Sequence, residues 1–167
     1  MTVFVYDTGM LIALERQATE AHRFHSRVTA RRGWHPPVIL LPVLAQVWRP
    51  QPGHWTPLSR VLPSCAVFGV DRGNQACGVC QAGHLTEDGK RGGVAAGRAV
   101  LPPKKRPDAV DALVTVVAAR HDRAVILTSD PDDLCAYRDA LGVSPSEVAI
   151  LPVDTLTEFR SGKPMMR

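Results

Sequence analysis

No stretch of the sequence approaches the roughly 20 consecutive apolar residues that a bilayer-spanning helix requires. The opening MTVFVYDTGMLIALERQ carries Asp7 inside its apolar part and has no basic leader, so it does not read as a secretory signal. A cytoplasmic location without membrane association is the resulting expectation. Cofactor motifs are missing as well. There is no GxGxxG after the first apolar run, no GxxxxGK[ST] and no GxSxG, and the six histidines include no HExxH pair, which removes the commonest routes to nucleotide binding, serine hydrolysis and zinc proteolysis. Cysteine is sparse, at four residues, and a chain of this size in a reducing compartment needs no disulfide staple. Cys77-x-x-Cys80 with His84 invites a zinc reading. Structural zinc takes four ligands, however, and only the distant Cys65 or His54 is left to complete the set, so ordinary thiols are the better reading.

One further absence is local. Between Lys90 and Arg106 there is no Asp or Glu, while Lys90, Arg91, Arg98, Lys104, Lys105 and Arg106 are all cationic. The chain as a whole has a formal net charge of +4, so much of its basic excess sits in this block. Such a block can grip phosphates or can be a solvated loop, and both readings stay open. Lys104, Lys105 and Arg106 are the candidates for contact with RNA.

What is present suits one globular unit. The 167 residues are 45% hydrophobic and 22% charged, within the usual range for a soluble domain of about 100–200 residues, and residues 1–167 are expected to form a single domain. Short β-branched or aromatic runs at Val3–Tyr6, Val38–Leu41, Ala66–Val70, Val125–Leu127 and Val148–Leu151 predict buried strands. Between them, Met10–Gln17, Thr19–Arg31 (with Thr19 as N-cap), Val43–Trp48 after Pro42, Leu58–Leu62, a segment from Asp71 to about Ala82, Asp108–Arg120, Asp132–Leu141 and Asp154–Phe159 predict helices. The stretch from Gly83 to Pro107, rich in Gly and Pro and without a sustained period, is expected to be a mobile basic insertion. Strands alternating with helices argue an α/β domain whose central parallel sheet is covered on both faces.

The chemistry is then sought among aspartates. Asp7 directly follows the first predicted strand and Asp130 the fourth. In a parallel sheet both reach the carboxyl edge, where open α/β folds place their sites. Asp108 and Asp111 stand three apart at the start of a helix and share a face. Carboxylates brought together repel unless compensated, and Mg²⁺ or Mn²⁺ is the natural compensation, since a hard ion takes oxygen ligands and needs only one or two carboxylates beside water and substrate phosphates. Each acid also has a plain alternative. Asp108, Asp71, Asp132 and Asp154 suit helix N-caps, and Asp7 and Asp130 suit turns.

At this point the segments VFVYDTGMLIAL, LPVLAQVWR, PDAVDALVTVVAAR and AVILTSDPDDL, taken in order, resemble the four motifs of the PIN-domain family, and most closely its VapC-type toxins of toxin–antitoxin pairs. The resemblance implies a PIN-like three-layer α/β/α fold. It also implies metal-dependent endoribonuclease activity, with Asp7, Asp111 and Asp130 as catalytic metal ligands around one or two Mg²⁺ or Mn²⁺ ions. Asp108, Asp133, Thr8 and Ser129 would support them. The family's second acid falls at Gln46, whose amide oxygen can accept a hydrogen bond from a bound water but carries no charge and is a poor base. A small antitoxin partner and a homodimer are implied in the same way. The alternative function is a catalytically weak PIN fold that binds nucleic acid or protein, favoured by Gln46 and the basic block.

Overall fold

Residues buried on both faces of a sheet must be apolar throughout, and the first strand obeys: β1 (Thr2–Tyr6) buries every position from Val3 to Tyr6. The same holds for β2 (Val38–Leu40), fully buried, and largely for β3 (Ala66–Phe68), β4 (Arg123–Thr128) and β5 (Val148–Pro152). The computed structural model describes residues 1–48, 56–68 and 85–161. Among these, five strands form one parallel sheet in the order β3-β2-β1-β4-β5. The order reverses direction at β1, so β1 and β4 lie side by side at the switch point, with Tyr6 in register with Leu127.

Among the described residues seven α-helices connect and cover the strands: α1 (Thr8–Glu15), α2 (Thr19–Ala30), α3 (Leu41–Val47), α4 (Thr56–Val61), α5 (Leu85–Arg98), α6 (Ala109–Ala118) and α7 (Pro131–Ala140). Because crossovers in a parallel sheet share one hand, those that move to one side of β1 (β1 to β2 to β3) lie on one face, and those that move the other way (β3 to β4 to β5) lie on the other. Accordingly α1 to α4 and the closing 3-10 turns Val153–Ser161 pack among themselves, while α5, α6 and α7 pack together. The result is a three-layer α/β/α fold. Its core gathers Tyr6, Met10, Leu11, Leu14, Ile39, Leu40, Ile126 and Leu127, all fully buried, each contributing about 1.5–3 kcal/mol by leaving water. Among the described residues no helix is long and apolar enough to cross a membrane.

One polar chain runs through the α1–α4 side. The Tyr6 hydroxyl meets His25 Nδ1 at 3.2 Å, His25 Nε2 meets Ser64 Oγ at 2.9 Å, and Ser64 Oγ donates to the Val61 carbonyl at 2.6 Å. Because Ser64 spends its proton on Val61, it receives the His25 Nε2 proton, and Tyr6 donates to Nδ1. Every donor is then satisfied, as burial demands, and burial holds the His25 imidazole below its usual range.

Three sequence expectations are corrected. The stretch read as an irregular insertion contains α5, whose inner face is made of Asp88, Gly92 and Ala95, all buried. Spaced four and three apart, these lie on one side of a helix, and Gly92 faces the Leu113 backbone of α6. Arg120 clamps the contact through Asp88, 2.5 Å away. Thr19 is not the N-cap of α2, which is Ala18, and Asp132 lies within the first turn of α7 rather than at its cap, which is Asp130. The helix expected from Asp71 lies outside the described residues.

Candidate acidic site at the carboxyl edge

The chain leaves β1 at Asp7, whose backbone N–H continues the ladder to Leu127 O at 3.1 Å before α1 begins. This places the Asp7 side chain beside the end of β4. It is 5% exposed; Oδ2 accepts the Thr128 hydroxyl at 2.8 Å, whereas Oδ1 is buried without a hydrogen-bond partner. Burial pushes its carboxyl above the usual range, the Thr128 hydroxyl and the backbone N–H groups of Thr8 and Gly9 oppose the shift, and repulsion from Asp108 adds to it. Thr128 Oγ1 also receives the Asp130 backbone N–H at 3.0 Å. One hydroxyl therefore fixes both strand-end acids.

Asp111, in the first turn of α6, is half-buried and has its carboxyl pushed up to about 7, first by burial and then by repulsion from Asp7, Asp108, Asp133 and Asp130. Asp7, Asp108, Asp130 and Asp133, the other acids expected at the site, are thus near enough to oppose the ionisation of Asp111. Asp108 keeps its plain role as well: its carboxylate caps α6 on the Val110 N–H at 2.7 Å, and its own N–H donates to Tyr137 Oη at 2.7 Å. Asp133 is 6% exposed, with Oδ1 buried and unpartnered.

Lys105 departs from its expected grouping with Lys104 and Arg106. All three are exposed, but Lys105 Nζ donates to Asp133 Oδ2 at 2.9 Å and contacts Asp130 Oδ2. Hydrogen bonds to these two acids hold the ammonium pKa above its usual range. The turn that presents it, Ala99–Asp108, is closed by Lys105 N–H to Pro102 O at 3.1 Å and has Lys104 at φ +70°, a left-handed conformation uncommon outside glycine.

The hydroxyl residues and Gln46 flank the same edge. Thr8 Oγ1 donates to Gln46 Oε1 at 2.7 Å, tying α3 to the start of α1 on an exposed surface. Ser129 packs on Gly9; a Cβ at that glycine would lie 2.4 Å from both the Ser129 backbone N and its Oγ, so only glycine lets the two strand ends close. Thr128, Tyr137 and the acid-pairing role of Lys105 were not legible in the sequence. Tyr137 alone left a trace, lying four residues after Asp133 on the same helix.

Asp7 and Asp111 fit a hard cation. They offer oxygen donors, carry uncompensated negative charge, and include an orphaned buried Oδ1. Among the described residues no three Asp, Glu, His or Cys side chains form a ready-made ligand set; Lys105 holds two of the acids and Thr128 engages a third. Two surface grooves, one along α2 lined by residues such as Arg23 and Arg27 and one around Trp34 and Ser64, share no residue with this site. Cys77, Cys80, His84 and His54 lie outside the described residues. Comparison with models of known protein families, with curated proteins and with solved structures finds no match to this chain.

Proposed function

We propose that the protein is a small metal-dependent endoribonuclease of the PIN-domain type, cleaving RNA phosphodiester bonds, with Asp7 and Asp111 as the residues that would hold Mg²⁺ or Mn²⁺. The observation that carries this reading is the surplus of negative charge at the sheet edge: Asp111 is pushed up to about 7 beside a buried Asp7 whose Oδ1 has no partner. Asp130, the third ligand that the family resemblance implies, stands against the same cluster in the grip of Lys105.

A bound divalent ion would supply the positive charge that polarises a phosphodiester and acidifies water. The chain's own residues prepare the place. Thr128 orients the Asp7 carboxylate, Thr8 orients the Gln46 amide beside it, and the Asp108 cap fixes the α6 turn that carries Asp111. Lys104 and Arg106, exposed on the neighbouring turn, offer cations to an RNA backbone, a contact without base information. An antitoxin that covers the cleft and a homodimeric assembly belong to the proposal through the same resemblance.

Incubation with single-stranded RNA tests it. Cleavage is expected to require Mn²⁺ or Mg²⁺, to stop with EDTA, and to be lost in Asp111→Asn. RNA binding without metal-dependent cleavage would overturn it in favour of a binding module. That second reading is favoured by the neutral Gln46 and by the hold of Lys105 on Asp130 and Asp133.

A further inference from the structure

We propose that Lys105 is a built-in cation that limits the acidic cleft to one divalent ion, held on the Asp7 and Asp111 side. The inference rests on the metal-dependent reading above and specifies how its site is divided.

The acids fall into three groups by what already neutralises them. Asp108 is occupied in capping α6. Asp130 and Asp133 are bridged by the Lys105 ammonium, 2.9 Å from Asp133 Oδ2 and in contact with Asp130 Oδ2. Asp133 is nearly fully buried, and a buried carboxylate without a cation beside it is strongly unfavourable, so the ammonium is part of what compensates its burial. Asp7 and Asp111 make no ion pair among the described residues. Asp7 and Asp133, both nearly fully buried, each keep an Oδ1 without a hydrogen-bond partner; Asp133 has the Lys105 ammonium beside its other oxygen, whereas the charge of Asp7 is met by no ion pair among the described residues.

Carboxylates alone would permit two ions. Lys105 changes this in two ways: it takes the oxygens that a second ion would need, and it places a positive charge where that ion would sit. The closed turn at Pro102–Lys105 and the left-handed Lys104 bring the Lys105 ammonium, on a side chain that is itself 43% exposed, onto Asp130 and Asp133. A single compact ammonium thereby stands in for a second metal, and the residue specifies metal stoichiometry.

Mn²⁺ titration of the metal-stripped full chain, followed by the paramagnetic resonance of free Mn²⁺ and by calorimetry, tests this without reference to activity. The wild-type chain is expected to bind one ion, lost in Asp7→Asn. Lys105→Met is expected to bind a second ion, and Lys105→Arg, which keeps the charge, only one. Two ions on the wild-type chain would overturn the inference with no variant needed. One ion of unchanged affinity in a folded Lys105→Met would overturn it while leaving the metal-dependent reading intact. No binding by any form would overturn both.

Discussion

Thr128 donates its hydroxyl hydrogen to Asp7 Oδ2 at 2.8 Å across the β1–β4 pair, and it is the only hydrogen-bond donor that another residue's side chain offers this buried acid among the described residues. Valine at position 128 keeps the shape and removes the donor. A hydrogen bond to a charged group contributes about 1.5–3 kcal/mol, and the loss leaves Asp7 Oδ2 without its side-chain donor. Thr128→Val is expected to lower the urea midpoint accordingly near neutral pH, while Thr128→Ser, which keeps the hydroxyl, stays close to wild type. A Val variant as stable as Ser would show that the bond contributes nothing net.

The α5–α6 contact depends on Asp88, fully buried, and Arg120. Asp88 Oδ2 has no hydrogen-bond partner, so the guanidinium at Oδ1 is what compensates the charge. Removing one member of a buried pair costs about 3–5 kcal/mol, whereas replacing both with apolar groups is often near neutral. Arg120→Met is expected to destabilise by roughly that amount, and Asp88→Leu combined with Arg120→Met to recover most of it, read by the same denaturation. Equal loss in the single and double variants would mean that packing, not charge, holds α5.

The fold was legible where burial forces apolar composition. β1, β2, β4 and β5 are short runs that have to be apolar because helices cover both sides, and that same logic delivers Asp7 and Asp130 to one edge. It failed at α5, because Asp88, Gly92 and Ala95 form a contact face out of one acid and two small residues, which no hydrophobic period reveals. It failed again at Lys105. Its partners lie 25 and 28 residues away, and what turns it inward is a local reversal at Lys104, a residue with no turn signature of its own. The cleft's acids could be found from strand ends, but its resident cation could be found only from coordinates.

Gln46 shares a surface with the site through Thr8, whose hydroxyl donates to the amide oxygen at 2.7 Å. A glutamate at this position accepts the same bond with nearly the same shape and adds a negative charge beside Asp7. Gln46→Glu is expected to tighten Mn²⁺ binding, by about tenfold if the added interaction is near 1.4 kcal/mol. Calorimetric titration of the two proteins checks this. Identical affinities would place Gln46 outside the influence of the ion.

Asp111 and His121 impose opposite pH slopes on stability. The Asp111 carboxyl, usually near 3.8, is pushed up to about 7 in the folded chain by burial and then by its acidic neighbours. Between those values the folded state binds more protons than the unfolded one, so stability from this group is full below about 4 and falls as pH rises to about 7. The His121 imidazole, usually near 6.5, is lowered to about 4 by burial and then by His35. Here the unfolded state binds more protons, so stability is full above about 6.5 and falls as pH drops toward 4. Over the shared window the two slopes oppose each other, with Asp7 adding to the first sense and His25 to the second. Asp111→Asn is expected to unmask a stability that rises from pH 4 to 6.5, and His121→Gln one that falls. At pH 8 Asp111→Asn is expected to be the more stable protein by about 1–2 kcal/mol; a shift of this size would give more in full burial, but solvent screens a half-exposed carboxylate. The order should reverse when Mn²⁺ is added well above its dissociation constant, because only the chain that binds the ion gains from mass action. Thermal denaturation at pH 4, 6.5 and 8, with and without Mn²⁺, reads all of these. A wild-type chain less stable than Asp111→Asn at pH 8 whatever the metal concentration would mean that the charge at Asp111 is not there to hold an ion.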